Sequence, residues 1–473
     1  MPSLLLRLLE RLRSSAGLVP ALLALLLPAI LHAEPQDPPD LGRAPPDPPM
    51  PLPRAAALEM VDVGVLFLAL SLTTWFVLRT RNRKGVFWLA VFSLGYFGFY
   101  RYGCVCAIGS IQNVTSAVFN PAMAASWMVI AFFFLPLLYS ALFGRSYCAA
   151  VCPHGAIQDL VVVRPIEVPP WLDKALGVLP FAYLGLAVFY AAASALDVAP
   201  VPNQAGVGER RYIICDYDPF IPIFRLTGSP THLAMGAAFL VAGMFIGRPY
   251  CRYLCPYGVL LRLFSLVAKW NVTIFKDRCI DCALCEHSCP FGAINPTTPK
   301  NWSPPHREGK GRLVLALVLL PLLIGGVAWF FKAALTVPLA YGLETPRLAR
   351  LYAEHNARKA EYAARGEKPP FIDEEIKSLT EHLPPIGPMD AEPIVKRAQE
   401  FTSSVVATGA WWLGAWIGLV LGVKFLANTI RRKRHDYEAD KGSCYSCARC
   451  YDYCPESNGI PIQFETGTVH RPV

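Results

Sequence analysis

Charged residues are scarce in this sequence. They make up 17% of its 473 residues, whereas 54% are hydrophobic, and a soluble domain usually carries about 25% charged residues. This shortage favours a protein that crosses a membrane. The basic residues, which bring the net charge to +9, gather at the ends of apolar segments, as in 79–84 and 431–434. That placement follows the positive-inside pattern of membrane proteins and argues against nucleic-acid binding.

Haem ligands and catalytic groups are also lacking. The sequence has no C-x-x-C-H motif and no pair of histidines inside an apolar segment, which argues against haem. No acid–base or nucleophile constellation for substrate turnover is present. Asp62 lies near the outer end of the first apolar segment, where an interfacial position is expected. We therefore expect an electron-transfer subunit of an oxidoreductase system, with the question of an activity of its own left open.

The apolar segments predict a mainly α-helical, polytopic membrane bundle. Residues 1–33 resemble a signal peptide or signal anchor, and the Pro-rich stretch 34–59 a periplasmic linker. Seven further segments are long enough, or nearly so, to cross a hydrocarbon core of about 30 Å. They are 60–79, 86–103, 122–143, 174–195, 232–247, 313–332 and 405–427.

Alternation of sides gives a consistent topology for these seven segments. The loops 80–85, 144–173, 248–312 and 428–473 fall in the cytoplasm, and all are basic near their membrane ends. The loop 333–404 falls in the periplasm, as a docking surface or an uninvolved linker. The predicted domains are a membrane domain over 60–275, two ferredoxin halves over 276–300 and 428–473, and the two helices and loop between them.

Two cysteine runs share the spacing C-x₂-C-x₂-C-x₃-C-P. In this spacing three thiolates on a tight loop reach three corners of a [4Fe–4S] cluster, and the fourth usually ligates the other cluster of a two-cluster ferredoxin. A zinc site would normally need two separated C-x₂-C pairs. The runs therefore predict two [4Fe–4S] clusters in a small α+β module of the bacterial ferredoxin type. Their cysteines are Cys279, Cys282, Cys285 and Cys289, and Cys444, Cys447, Cys450 and Cys454.

The predicted topology places both runs on the cytoplasmic side. They can then form one module, and we expect exchanged ligation. Cys454 would join the first three cysteines of the first run, and Cys289 the first three of the second. Ligation of each cluster by its own run is the alternative.

A second motif, G-R-x-Y-C-x₃-C-P-x-G, occurs twice, at 144–155 and 247–258. Both copies follow an apolar segment at the predicted cytoplasmic face. Two cysteines four residues apart share one face of a helical turn, so the two copies could offer four thiols to a cluster or a mononuclear metal. These are Cys148, Cys152, Cys251 and Cys255. Arg145 and Arg248 would stabilise its negative charge. The alternative is reduced thiols that only pack a helical corner.

A weaker copy of this motif contains Cys104 and Cys106 and ends a segment that runs outward. Cys215, in the next outside loop, could join these two cysteines at the opposite face of the membrane. The three thiols predict either a further cluster or metal site, or a disulfide with one spare cysteine, which an oxidising compartment would favour.

Together, the paired motifs and the two ferredoxin runs resemble the NosR/NapH-type membrane polyferredoxins, over roughly residues 60–300 and 428–460. The resemblance implies a protein of the bacterial inner membrane that passes electrons between a cytoplasmic donor or acceptor and a periplasmic flavoprotein or reductase. It also implies that the cysteines of the matching motifs bind the clusters. No flavin-binding segment is recognisable, so any flavin would belong to a partner. The alternative function is a redox maturation or assembly factor that reduces a metal or a disulfide in the periplasm.

Overall fold

A computed structural model gives the architecture. It describes residues 56–103, 107–163, 165–166, 168–197, 215, 217–226, 230–274, 279–298, 308–347, 349–350, 392–429 and 433–455, with 353, 357, 361 and 364–366 between them. The predicted signal segment and most of the Pro-rich linker lie outside these residues. The described part is mainly helical, with one two-stranded ribbon.

Four helices open the described chain, and polar side chains fix where they begin. They are α1 (Ala56–Thr74), α2 (Arg83–Ser93), α3 (Ala107–Phe119) and α4 (Trp127–Phe143), with α1 and α2 continuing as the π-helices Trp75–Arg79 and Leu94–Tyr100. The side chain of Asn82 accepts a hydrogen bond from the N–H of Gly85 and so caps α2. Asp62 of α1 is fully buried within the protein and pairs with Arg101 at 3.0 Å.

The remaining elements alternate short and long helices. They are α5 (Pro153–Leu160), α6 (Pro170–Leu176), α7 (Leu179–Leu196), α8 (Ile221–Arg225), α9 (Pro230–Phe245), α10 (Pro249–Tyr253), α11 (Pro256–Ser265), α12 (Leu284–His287), β1 (Ile294–Asn295), α13 (Glu308–Phe330), α14 (Thr336–Ala340), α15 (Glu392–Phe401), α16 (Ala407–Thr429), β2 (Glu438–Ala439) and α17 (Arg449–Asp452). The π-helix Tyr147–Val151 precedes α5, and two others, Phe331–Leu335 and Thr402–Val406, extend α13 and precede α16.

A glycine stripe lets α16 pack directly on the backbone of α13. Gly414, Gly418 and Gly422 follow one another at intervals of four residues, on one helix face. A Cβ atom on Gly418 would lie only 2.5 Å from the carbonyl oxygen of Leu323. Small residues of this kind allow membrane helices to approach closely without a polar contact. The two helices form a tight hairpin between the ferredoxin runs.

Four described helices are long and apolar enough to cross a membrane: Ala57–Arg79, Pro170–Leu196, Leu313–Ala340 and Val395–Ala427. They contain four of the seven predicted segments, so a membrane protein built of helices is confirmed. The predicted segments 122–143 and 232–247 correspond to the shorter apolar helices Trp127–Phe143 and Pro230–Phe245. The predicted segment 86–103 is helical as α2 and its π extension. Seven crossings therefore remain a prediction.

Candidate metal centres

The first ferredoxin pocket joins the two cysteine runs. Cys279, Cys282 and Cys285 line one pocket together with Cys450 and Cys454 of the second run. Ile274, Ile280 and Tyr437 are among the residues that close its walls. Three thiols of the first run and two of the second thus line a common space, so Cys454 lies where exchanged ligation would need it.

A second group contains the remaining thiols of the two runs. Cys289 of the first run lies close enough to Cys447 for their charges to interact. Cys444 and Cys450 interact electrostatically with both of these cysteines. The second group is therefore Cys444, Cys447 and Cys450 with Cys289, and it mirrors the first.

The backbone of the two runs repeats as well. Asp281 and Ala283 have positive φ angles of 55° and 59°, and Ser446 and Ala448, at the same two positions of the second run, have 52° and 62°. Non-glycine residues adopt this left-handed conformation rarely and at an energetic cost. Each run then enters a four-residue helix, α12 or α17. Strand β1 pairs antiparallel with β2, Ile294 opposite Ala439. The paired turns and the ribbon bring the two runs together, and a ferredoxin-like module stays a prediction.

Burial disfavours ionisation of these thiols. It raises the pKa of Cys444 to about 12 and that of Cys285 to about 11. Cysteine binds metal as the thiolate, so a bound cation must supply the stabilisation that water no longer provides. The donor set, its pocket and its apolar walls fit an iron–sulfur cluster.

The four cysteines of the repeated motif line one enclosed cavity inside the helix bundle. Cys148 and Cys152 come from the first copy, and Cys251 and Cys255 from the second. Cys152 and Cys255 adopt extended backbone conformations, and the prolines that follow begin α5 and α11. Proline suits the first helical position because its missing N–H has no partner there anyway. The second cysteine of each copy therefore lies in a break between two short helical segments.

The two arginines of the motif cross between the copies. The guanidinium of Arg145 lies 3.3 Å from the position of a Cβ on Gly258, and that of Arg248 lies 3.2 Å from the position of a Cβ on Gly155. Arg248 also donates to the carbonyl oxygens of Cys148 and Ala149, and Arg145 lies 3.7 Å from the Cys148 sulfur. The last glycine of each copy thus leaves room for the arginine of the other copy.

Other positions of the motif also pair across this pseudo-twofold relationship. Tyr147 of the first copy packs edge-on against Tyr257 of the second, and Tyr250 of the second stacks on His154 of the first. A Cβ on Gly247 would lie 2.9 Å from Pro290 of the first ferredoxin run. The repeat therefore specifies a symmetric pair of half-helices around the four thiols.

The cavity lies within the helix bundle, beside the middle of α4. Its predicted position at the cytoplasmic face of the membrane stays a prediction. The hydroxyl of Tyr257, two residues after Cys255, donates to the carbonyl oxygen of Phe133 at 2.7 Å, near the middle of α4. Further along α11, Leu261 accepts a hydrogen bond from Ser140, and Trp270 reaches Leu142 near the end of α4. The chain thus enters the bundle, turns at the cysteines and returns.

Asp159 at the end of α5 holds the first motif copy, the second copy and the ferredoxin module together. Its carboxylate lies 2.7 Å from Arg83, 3.3 Å from Arg449 and 3.4 Å from Arg248. Burial alone would raise its pKa, but the three arginines hold the pKa of Asp159 well below its usual range. Arg83 also donates to the carbonyl oxygen of Cys447.

Cys215 lies beside the motif site. The side-chain amide of Gln112 lies 3.1 Å from its sulfur. Asp218 bonds through its N–H to the Cys215 carbonyl oxygen, and its carboxylate is 3.2 Å from both the His154 ring and the Tyr250 hydroxyl. Asp218 thereby joins the Cys215 segment to the motif. The expected grouping of Cys215 with Cys104 and Cys106 at the opposite face of the membrane stays a prediction. Cys104 and Cys106 lie outside the described residues.

Sequence reasoning missed several residues of this site. Gln158 lies 3.2 Å from the Cys251 sulfur and accepts a hydrogen bond from the N–H of Tyr250. His154 and Gln158 are one helical turn apart, and this spacing indicates that both side chains lie on the same face of α5. No sequence pattern indicated Asp218, because only folding brings it close to His154. Within the described residues, no three His, Cys, Asp or Glu side chains are grouped tightly enough for a single metal ion.

Comparison with known proteins agrees with this chemistry. Residues 125–178 and 229–274, which contain both motif copies, match a family model described as a 4Fe-4S binding domain. Residues 272–295, which contain the first ferredoxin run, match another model with the same description. No solved structure is significantly similar to the chain.

Three relatives are similar to part of the chain. YccM of Escherichia coli, whose name describes electron transport, is 27% identical over 189 residues, covering 37% of this chain and 49% of YccM. The protein NirI of Paracoccus denitrificans is 32% identical over 188 residues, covering 37% of the chain and 25% of NirI. The regulatory protein NosR of Pseudomonas aeruginosa is 26% identical over 254 residues, covering 50% and 32%. The chain thus spans half or less of each.

The cysteine sites and the helical membrane domain define an iron–sulfur membrane protein. With the relatives above, the predicted resemblance to the NosR/NapH-type membrane iron–sulfur proteins is confirmed.

Proposed function

We propose that this protein carries single electrons through the membrane, between a cytoplasmic donor or acceptor and a periplasmic redox partner. The observation that carries the proposal is the direct contact between its two kinds of cysteine site. Tyr445, inside the second ferredoxin run, donates a hydrogen bond to the carbonyl oxygen of Cys251 at 3.1 Å. Its ring also stacks against the guanidinium of Arg145, 4.1 Å away. The ferredoxin module therefore abuts the motif site without an intervening layer.

Three groups of thiols would hold clusters. Cys279, Cys282, Cys285 and Cys454 would hold one, and Cys444, Cys447, Cys450 and Cys289 another. Cys148, Cys152, Cys251 and Cys255 would hold a third. The clusters supply one-electron redox chemistry, and the chain spaces them, excludes water and places Arg145 beside Cys148. In a mononuclear site with metal–sulfur bonds of about 2.3 Å, the thiols would crowd around one ion. The wide grouping of the four thiols favours a cluster.

The outer end of the path would lie at the Cys215 segment. Its link through Asp218 to His154 extends the series of contacts beyond the motif site. We expect a periplasmic flavoprotein or reductase to meet the protein there, with the ferredoxin module facing the cytoplasm of a bacterial cell. The alternative, reduction of a periplasmic metal or disulfide by Cys104, Cys106 and Cys215, would use the same inner path.

Ligand assignment is tested by iron and sulfide analysis with EPR after anaerobic purification. Three clusters predict about twelve iron atoms per chain, since each cluster contains four. Cys454→Ser and Cys289→Ser should each impair a different ferredoxin cluster, and Cys148→Ser should impair the third. If Cys454→Ser and Cys282→Ser affected different clusters, ligation within each run would replace the exchanged scheme. About eight irons, unchanged by Cys148→Ser, would remove the motif cluster.

Transmembrane transfer is tested in sealed proteoliposomes. A membrane-impermeant reductant outside should reduce an acceptor trapped inside, and Cys148→Ser should slow this reaction at least tenfold while the ferredoxin clusters still reduce. If the rate is unchanged in Cys148→Ser vesicles, electrons do not pass through the motif site. Accumulation of free thiols at Cys215, without transfer to the acceptor, would favour the maturation function.

A further inference from the structure

A charged cavity lies between the ferredoxin module and the membrane helices. Its volume is about 500 Å³, and its walls come from α6, α7, α11, α16 and the loop before Tyr445. Ligand pockets in proteins commonly fall between about 300 and 1,000 Å³. The cavity is therefore large enough for the polar group of a ligand.

The charge of this cavity is strongly positive. Five basic side chains line it and one acidic side chain opposes them, which leaves four positive charges: Arg145, Lys174, Arg252, Arg262 and Lys424 against Asp173. The carboxylate of Asp173 forms an ion pair with Arg252 at 2.7 Å. Arg145 donates a hydrogen bond to the carbonyl oxygen of Gly442 and lies over the ring of Tyr445.

The other three cations have no carboxylate partner among the described residues. Lys424 lies 3.4 Å from the carbonyl oxygen of Lys174 and over the face of Phe181, and it interacts electrostatically with Arg262 and Asp173. Arg262 lies against Gly442 with no paired acid. Three like charges around one partly enclosed space repel one another, and an anion between them would relieve this repulsion.

The remaining wall of the cavity is apolar. Val178, Pro180 and Phe181 of the α7 region face Leu421 and Phe425 of α16. Both helices belong to apolar segments long enough to cross a membrane, and Trp171 of the adjoining α6 is 71% exposed, as an interfacial anchor would be. The cavity therefore joins a cationic end to a lipid-facing end.

We propose that this cavity binds the phosphate headgroup of an anionic phospholipid. Lys174, Arg262 and Lys424 contact the phosphate, and the acyl chains run along Phe181 and Phe425. Basic pockets between membrane helices select anionic headgroups in this way. The bound lipid fills the gap between the ferredoxin module and the helices, beside Cys251 and Cys255, which line the same cavity.

The test uses the full-length protein in detergent, stripped of lipid, with phosphatidylglycerol and phosphatidylcholine as probes. Native mass spectrometry and the unfolding temperature report binding. Wild-type protein should retain phosphatidylglycerol and gain thermal stability from it, with at least tenfold weaker binding of phosphatidylcholine. The variant Lys174→Gln/Arg262→Gln/Lys424→Gln should lose at least tenfold in affinity for phosphatidylglycerol.

A matched control separates this site from general charge attraction. Arg79→Gln/Lys84→Gln/Lys269→Gln removes the same three charges, one Arg and two Lys, from exposed positions outside the cavity, and it should bind like wild type. Equal affinity in both triple variants, or no preference of wild type for phosphatidylglycerol, overturns the proposal. Displacement of the lipid by millimolar inorganic phosphate would identify a free-phosphate site instead. If the triple cavity variant lacks iron, the single variant Arg262→Gln is measured instead, and its affinity for phosphatidylglycerol is judged by the same criteria.

Discussion

Tyr445 and Cys251 meet through a single hydrogen bond of 3.1 Å, although one belongs to a ferredoxin run and the other to a motif cavity. Tyr445 also packs against Phe291, with ring centroids 4.5 Å apart. The side chain of Tyr445 thus contacts the first ferredoxin half and the motif site. It also contacts Arg145, the cation that lies beside Cys148. The separation between the two kinds of site depends on this residue.

Replacing Tyr445 should loosen that junction in a graded way. Tyr445→Phe keeps the ring but leaves the Cys251 carbonyl oxygen without this donor, at a cost of about 1–3 kcal/mol. Tyr445→Ala also opens a void, at about 3–5 kcal/mol. Both should slow electron passage to the motif site, measured as its reduction rate after the ferredoxin clusters are reduced. Tyr453→Phe, an exposed tyrosine of the same run, serves as the control, and a similar slowing there would contradict a specific role for Tyr445.

Loss of the Asp159 carboxylate should destabilise the contact between module and membrane domain. Asp159→Asn leaves three arginines without their shared acid, and breaking a buried ion pair costs about 3–5 kcal/mol. Thermal unfolding in detergent should show the loss, whereas Glu400→Gln, at an exposed position, should not.

The pH dependence of that loss follows from the depressed pKa of Asp159. A carboxylate whose pKa is lowered on folding contributes its full stability above its unfolded-state pKa of about 4 and loses it as the pH falls further. The stability difference between wild type and Asp159→Asn should therefore be constant from pH 8 to about 5 and narrow below about pH 4. A difference that narrows already near pH 6 would assign the effect to another group.

The last glycine of each motif copy should not tolerate a methyl group. Gly155→Ala and Gly258→Ala place a Cβ against the arginine of the other copy, and overpacking of this kind costs about 1–3 kcal/mol. Alanine normally favours a helix over glycine, so destabilisation would reflect the clash. Iron content and the unfolding temperature measure the result. Gly64→Ala, where no atom lies within 4 Å, should be neutral or stabilising.

The glycine stripe of α16 should be needed for the ferredoxin module. Gly418→Leu would force α16 away from Leu323 of α13, and the second run follows directly after α16. We expect a lower unfolding temperature and less iron in both ferredoxin sites. Gly325→Ala on α13, which meets no atom within 4 Å, provides the comparison, and equal iron in both variants would show that the hairpin does not position the run.

Local spacing and hydropathy predicted the parts of the molecule that depend on neighbouring residues. The C-x₂-C-x₂-C-x₃-C-P runs identified the iron–sulfur chemistry, since their ligands lie on one tight loop, and 20-residue apolar runs identified four long helices. The exchange of Cys454 and Cys289 was predicted by assuming that both runs share a side of the membrane, and the pocket geometry supports it.

Depth within the bundle could not be predicted in the same way. α5 and α11 have eight and ten residues, too few to produce a hydropathy signal for half-helices that enter and return. The Asp218–His154 contact joins positions 64 apart, and the arginines that surround Asp159 come from three distant segments. Such contacts depend on tertiary folding, so residue patterns alone could not reveal that the Cys215 segment contacts the motif.

The pairing of β1 with β2, Ile294 opposite Ala439, has a consequence for biosynthesis. The first ferredoxin half leaves the ribosome long before the second, and the α13–α16 hairpin must enter the bilayer between them. Until that insertion is complete, Cys279, Cys282 and Cys285 lack the thiol of Cys454, and closing so long a loop is intrinsically slow. Cluster loading would then be the last step of maturation, and a chain truncated before its final helix would remain without either ferredoxin cluster.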